Sequence, residues 1–171
     1  MPLLPESGLN YLLSPAIPAN DVFLRFLYSD LRAPEFACLG LSPAQVEAFC
    51  RMQYDCRAAS HAQYMPALNT SIVWVDAYAV GRMDVQAAPK QWRLVNLELL
   101  TAWRGKGLGR RLLARLQREA AEAGVPLALS ADAAGWVAAW YRRCGFEWVA
   151  SDGLVEHLVW RPAACVEMTN V

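Results

Sequence analysis

The chain has 171 residues, 16 Lys and Arg against 16 Asp and Glu, and a formal net charge of zero. That balance argues against a general nucleic-acid binder and against a charged, disordered tail protein. The hydrophobic share is 56% and the charged share 19%, which describes a globular chain with enough apolar residues for one self-sufficient core.

The apolar runs, such as Ser71–Val75 and Trp136–Tyr141, are far shorter than the roughly 20 residues needed to cross a bilayer. The start, Met1-Pro2-Leu3-Leu4-Pro5-Glu6, lacks the basic and apolar regions of a secretory leader, so a cytoplasmic location is expected. The cysteines Cys38, Cys50, Cys56, Cys144 and Cys165 are odd in number and none form a Cys-x-x-Cys pair. Neither a disulfide framework nor a structural zinc site is expected. With His61 and His157 as the two histidines, no metal site is expected either.

In chain order, Leu9–Leu13 reads as a short strand. Asn20 or Asp21 can cap a helix whose apolar face is Val22, Phe23, Phe26, Leu27 and Leu31, ended by Pro34. Ser42-Pro43-Ala44-Gln45 has the form of a capping box, with Pro at the first helical position. The helix it opens should run to about Gln63, with Val46, Phe49, Cys50 and Gln53 inward. Ile72–Val75 and Ala79–Val85 read as strands joined near Asp76-Ala77, and Arg93–Leu100 as a third. That third strand places Leu94, Asn96 and Glu98 on one face and Val95, Leu97 and Leu99 on the other.

A helix follows, with Leu108, Leu112, Leu113, Leu116 and Ala120 at core spacing. Gly124 and Pro126 stop it. Leu127–Ser130 reads as a strand, Gly135–Arg143 as a helix, and Phe146–Ala150 and Leu154–Trp160 as closing strands. The order implies a mixed α+β domain.

The most informative stretch is Arg104-Gly105-Lys106-Gly107-Leu108-Gly109-Arg110-Arg111. A strand ends, a glycine-rich loop follows, and a helix begins. Glycines let the backbone turn tightly and bring its amides close to a ligand. The first helical turn adds unpaired N–H groups and a positive dipole end, which suits phosphate. The spacing is neither a P-loop nor a Gly-x-Gly-x-x-Gly dinucleotide fingerprint. It is Arg-x-x-Gly-x-Gly, carried by Arg104, Gly107 and Gly109.

This segment resembles the pyrophosphate-binding loop of the GNAT superfamily of N-acetyltransferases. Trp140-Tyr141-Arg142-Arg143-Cys144-Gly145-Phe146 resembles the Tyr-x-x-x-Gly-Phe segment of the same family. The resemblance spans roughly Asp21–Trp160 in element order and is strong from Arg93 to Phe146. It implies one GNAT-like domain: a central mixed, mostly antiparallel sheet of six or seven strands flanked by about four helices. Residues 1–92 would carry the first helices and strands, 93–161 the cofactor half, and 162–171 a short tail.

The implied activity is direct transfer of the acetyl group of acetyl-coenzyme A to a primary amine. A small-molecule amine is favoured over a protein or peptide amine, and the enzyme would be a monomer or homodimer. Arg104, Gly105, Lys106, Gly107, Leu108, Gly109 and Arg110 would hold the pyrophosphate. Backbone at Leu97 and Leu99 would hold the thioester carbonyl, where the fourth strand splays from the fifth.

The resemblance places Tyr141 as general acid to the departing thiolate. A phenol near 10 and a thiol near 8.5 leave that transfer uphill by about 2 kcal/mol. Glu98 is the candidate base, acting directly or through a water, with Asn96 as an alternative holder of that water. An ordinary reading of Glu98 is a strand carboxylate paired with Arg82 or Arg93; for Tyr141 it is a core aromatic. The chain departs from the family where many members carry an Asn before the Tyr; here Gly135 stands there, followed by Trp136. Thr101 replaces the usual Pro after the fourth strand. A non-catalytic acyl-coenzyme A-binding module and a structural protein of the same fold are the competing readings.

Overall fold

The computed structural model describes residues 10–163. Its elements are β1 (Tyr11–Pro15), α1 (Asp21–Arg32), α2 (Pro43–Tyr64), β2 (Leu68–Val75), β3 (Tyr78–Ala87), β4 (Trp92–Leu99), α3 (Leu108–Glu122), β5 (Leu127–Asp132), α4 (Trp136–Arg143), β6 (Glu147–Ser151) and β7 (Val155–Trp160). Short 3-10 turns precede α1 and follow α1 and β4. The strands form one seven-stranded sheet in the order β1-β2-β3-β4-β5-β7-β6. It is mixed: β4 and β5 run parallel, whereas β1 with β2, β5 with β7, and β6 with β7 run antiparallel. The α+β fold expected from element order is the one observed. Leu9, the first residue of the strand expected there, lies outside the described residues.

The described chain divides into two compact units, and the division crosses β3 between 83 and 84 and β4 between 97 and 98. The first holds α1, α2, β1, most of β2, the start of β3, the end of β4 and the loop to Leu108. Tyr28, Cys50 and Tyr54 form a buried cluster here, with Leu24, Ala33, Phe36 and Val46 packed on it. Tyr28 and Tyr54 meet edge to face at 5.9 Å. The Tyr28 hydroxyl donates to Gln53 and that of Tyr54 to Asp21, so each phenol buries its ring without orphaning its polar end.

The capping box at α2 forms as its spacing dictates. The Ser42 amide donates to Gln45 Oε1 at 2.8 Å and the Gln45 amide to Ser42 Oγ at 3.3 Å. The start of α1 differs from expectation. Asn20 does not cap the helix with its side chain; its Oδ1 instead accepts from the Ile17 amide at 2.9 Å. The inward face is also rotated. Leu27 and Tyr28 are buried, while Val22 is 79% exposed and Phe26 59%. Leu27 is buried as expected, whereas the cluster with α2 takes Leu24 and Tyr28 in place of Val22 and Phe26, because a Tyr that can place its hydroxyl on Gln53 packs there without orphaning its polar end.

In the second unit, Leu112, Leu113, Leu116 and Ala120 of α3 are buried, as their helical spacing requires. The helix ends at Gly124, φ 68°, with the Gly124 amide on Ala121 and the Val125 amide on Ala120. Those two bonds satisfy carbonyls that the helix end would otherwise leave open. β5 carries Leu127, Ala128 and Leu129 in the core and pairs with β7 along its full length.

Candidate functional site

The ladder between β4 and β5 covers three pairs, Trp92 with Leu127, Arg93 with Ala128 and Leu94 with Leu129. β5 then continues to Asp132 along β7. The ladder with β5 does not extend to residues 95–97, so it ends three residues before Leu97, the first of the two residues where the splay was expected. A backbone amide or carbonyl without a strand partner needs another, from the chain, water or a ligand.

Beyond β4 the chain tightens into a 3-10 turn, Thr101–Trp103. Asp30 of α1 accepts the Thr101 amide at 2.7 Å, and the Arg104 Nε donates to the Leu99 carbonyl at 3.1 Å. The turn is thus anchored at both ends. Gly105 and Gly107 follow with φ 72° and 78°, and a Cβ on either would meet nothing within 4 Å. Both glycines sit in the left-handed region that other residues avoid, and the space beside them is open. Leu108, buried, then starts α3. An alternation of left-handed residues at a helix start turns successive amides to one side and makes an anion-binding concavity. Lys106 lies over the Trp103 ring, 5.1 Å from its centroid, which draws its ammonium back along the loop.

Of the candidate cofactor contacts, Glu98–Leu108 lie in the first unit, so Leu99 and Arg104 to Leu108 are together there. Leu97, Gly109 and Arg110 belong to the second unit.

Glu98 is not a free carboxylate. Arg57 Nη1 of α2 reaches its Oε1 at 2.8 Å, and Arg82 Nε of β3 reaches its Oε2 at 2.9 Å. Its side chain is 15% exposed, and that of Arg82 6%. The Arg82 pairing was one of the ordinary readings of the sequence; Arg57, 41 residues away, carried no sequence signal. Arg57 also lies over the Tyr28 ring at 4.5 Å. Asn96 does not stand free either: its Nδ2 donates to the buried Asp84 at 2.6 Å.

Tyr141 stands in α4, 8% exposed, with Phe146 and Trp140 edge to face at 5.5 and 4.8 Å. Burial, followed by the nearby Cys144, pushes its phenol up to about 12. The gap to a coenzyme thiol near 8.5 thereby widens to about 5 kcal/mol. Gly145 allows the turn into Phe146 at φ 90°, where a Cβ would lie 3.4 Å from Trp160. At Gly135, which replaces the family's Asn, α4 begins with no side-chain cap.

Residues 69–148 match the sequence model of the acetyltransferase (GNAT) domain. This segment is a GNAT acetyltransferase domain. Solved GNAT structures share the fold. The PaiA N-acetyltransferase of Thermoplasma acidophilum, crystallised with coenzyme A, superposes with TM-score 0.68 at 16% identity, over 89% of this chain and 99% of that one. An acetyltransferase of Thermus thermophilus gives 0.66 at 21% identity, over 90% and 97%. A GNAT acetyltransferase of Elizabethkingia anophelis with acetyl-coenzyme A bound gives 0.54 at 12% identity, over 89% and 98%. No curated protein matches the chain. A GNAT domain supports an acyl-coenzyme A-dependent acyltransferase in general. Among the described residues, no cluster of three or more His, Cys, Asp or Glu could hold a metal, and no helix is long and apolar enough to cross a membrane.

Proposed function

We propose that the protein transfers the acetyl group of acetyl-coenzyme A directly to a primary amine, a small molecule before a protein or peptide. The observation that carries this reading is the open, left-handed Gly105–Gly107 loop at the start of α3. Arg104, Gly105, Lys106, Gly107, Leu108, Gly109 and Arg110 hold the pyrophosphate: backbone amides at the helix start donate to it, and the basic side chains neutralise it. The thioester supplies an activated acetyl carbonyl. Amides of β4 at Leu97 and Leu99, past the last β5 pairing, stabilise the negative charge that develops on its oxygen as the amine attacks.

Tyr141 donates a hydrogen bond to the leaving sulfur. A phenol pushed up to about 12 holds its proton firmly, so it steadies the thiolate more than it protonates it. Glu98 stands between the two β4 residues assigned to the thioester. A base role for it requires release from one of its two guanidiniums.

Titration calorimetry with acetyl-coenzyme A, followed by thiol release with a panel of amines, tests the reading. Micromolar binding with amine-dependent thiol release is expected. Binding without release favours a non-catalytic acyl-coenzyme A module, and no binding at millimolar ligand removes the loop assignment.

A further inference from the structure

Around the end of β4, three elements of the first unit contribute charged groups. α2 supplies Arg57, β3 supplies Arg82, and both are on Glu98. α1 supplies Asp30, engaged by the Thr101 amide, and Arg32, paired with Glu35 at 2.9 Å. Burial works against the Arg32 guanidinium, yet Glu35 and, more weakly, Glu98 raise its pKa. Further along the same strands, Asp84 and Asn96 bond each other. The carboxylates here serve as anchors, and the groups around Glu98 are guanidiniums.

This arrangement bears on the acceptor. An amine attacks only when neutral. A lysine-like amine is about 0.04% neutral at pH 7, whereas an α-amine is about 9–17% neutral. The availability ratio is about 200- to 400-fold. A free carboxylate beside the acceptor would narrow it by taking the ammonium proton. Guanidiniums do the opposite: they repel an ammonium and accept no proton.

We propose that the acceptor is a weakly basic amine, of the kind found in amino-acid amides and peptide α-amines, because Glu98 and Asp30 are committed to ion pairing and backbone anchoring. The proposal rests on the acetyl-transfer reading and deepens it. Glu98 is then a positioning residue: it ties α2 to β3 and β4 through Arg57 and Arg82. The proton released when the C–N bond forms passes to solvent, and the thiolate leaves as the C–S bond breaks.

The test is thiol release by the intact chain with acetyl-coenzyme A and two acceptors, glycinamide and n-propylamine, from pH 7 to 9.5. At pH 7, kcat/KM for glycinamide should exceed that for propylamine, the availability ratio being partly offset by the greater nucleophilicity of the neutral alkylamine. The propylamine value should climb about tenfold per pH unit through the range. Glu98→Gln should lower kcat/KM for both amines by one common factor and lower Tm. Near-equal values at pH 7, a propylamine profile that levels off by about pH 8, or a loss in Glu98→Gln confined to propylamine at unchanged Tm would overturn the proposal. Should the variant fail to fold, the wild-type pH series decides alone. Thiol release absent with every amine, while acetyl-coenzyme A binds, overturns the underlying transfer reading and is distinct from each of these results.

Discussion

Glu98 lies within a dozen residues of the glycine loop along the chain, yet the loop and the arginine–glutamate cluster are built in opposite ways. At Gly105 and Gly107 an added Cβ meets nothing within 4 Å. At Gly81 on β3, one residue before Arg82, a Cβ would overlap the Glu98 carbonyl oxygen and lie 2.6 Å from Leu99 Cδ2. The same residue type serves opposite ends. In the loop it provides a backbone conformation and leaves room for a ligand; in the sheet it provides close approach and leaves no room at all. A surface that receives an anion must keep its donors uncovered, whereas one that fixes side chains must be filled.

The largest expected effect attacks the open region. Arg104→Ala with Gly107→Asp removes one charge, adds an opposed one and strains a left-handed position. Coenzyme A binding should weaken by at least about 100-fold, because bonds to a charged group contribute about 1.5–3 kcal/mol each. Calorimetry reads this directly, and an unchanged dissociation constant would sink the anion-cradle assignment.

Next comes Tyr141. Its phenol is pushed up to about 12 in the folded chain against about 10 when unfolded. Below pH 10 both states keep the proton and the contribution is complete. As pH rises from 10 to 12 the unfolded state ionises first, and about 2–3 kcal/mol of stability is lost. Tyr141→Phe should flatten that part of the alkaline stability profile in denaturant titrations. Equal slopes for the two proteins would refute the buried, protonated phenol. In turnover, Tyr141→Phe should lower kcat by about 10- to 100-fold with a smaller change in KM; an undiminished kcat would remove the donor role.

The filled region responds through stability. Gly81→Ala should cost about 1–3 kcal/mol, since backbone and a buried Leu must move. Gly105→Ala faces conformational strain alone, about 1–2 kcal/mol. Thermal melts that rank the two in reverse order would dissolve the contrast between them. The smallest effect is Ser42→Ala, about 1 kcal/mol from the lost capping box. It serves as a baseline outside both regions.

Much of the fold was legible because its signals are local. The Ser42–Gln45 box, the α3 core stripe and the stop at Gly124 each lie within one or two turns of chain, and all three form. The parting of β4 from β5 was expected from the family resemblance, and the ladder does end at Leu94 and Leu129. The inward face of α1 was legible in part: Leu27 is buried as expected, but Val22 and Phe26 are exposed and Tyr28 is buried, because periodicity ranks apolar residues without knowing which tyrosine finds a hydroxyl partner. Tyr28 finds one in Gln53, 25 residues on.

The sequence by itself determined the α+β order, the helix limits and the loop at Arg104–Gly109, since glycine conformation, capping and helical spacing are properties of neighbouring residues. Tertiary structure alone decided what Glu98 is attached to and how reluctant Tyr141 is to ionise. The partners of Glu98 come from α2 and β3, 41 and 16 positions earlier in the chain, and the Tyr141 environment is made by burial. Charge pairing and desolvation depend on what folding brings near. A single strand position can display a carboxylate, but only the packed neighbours settle whether it meets a substrate or a guanidinium.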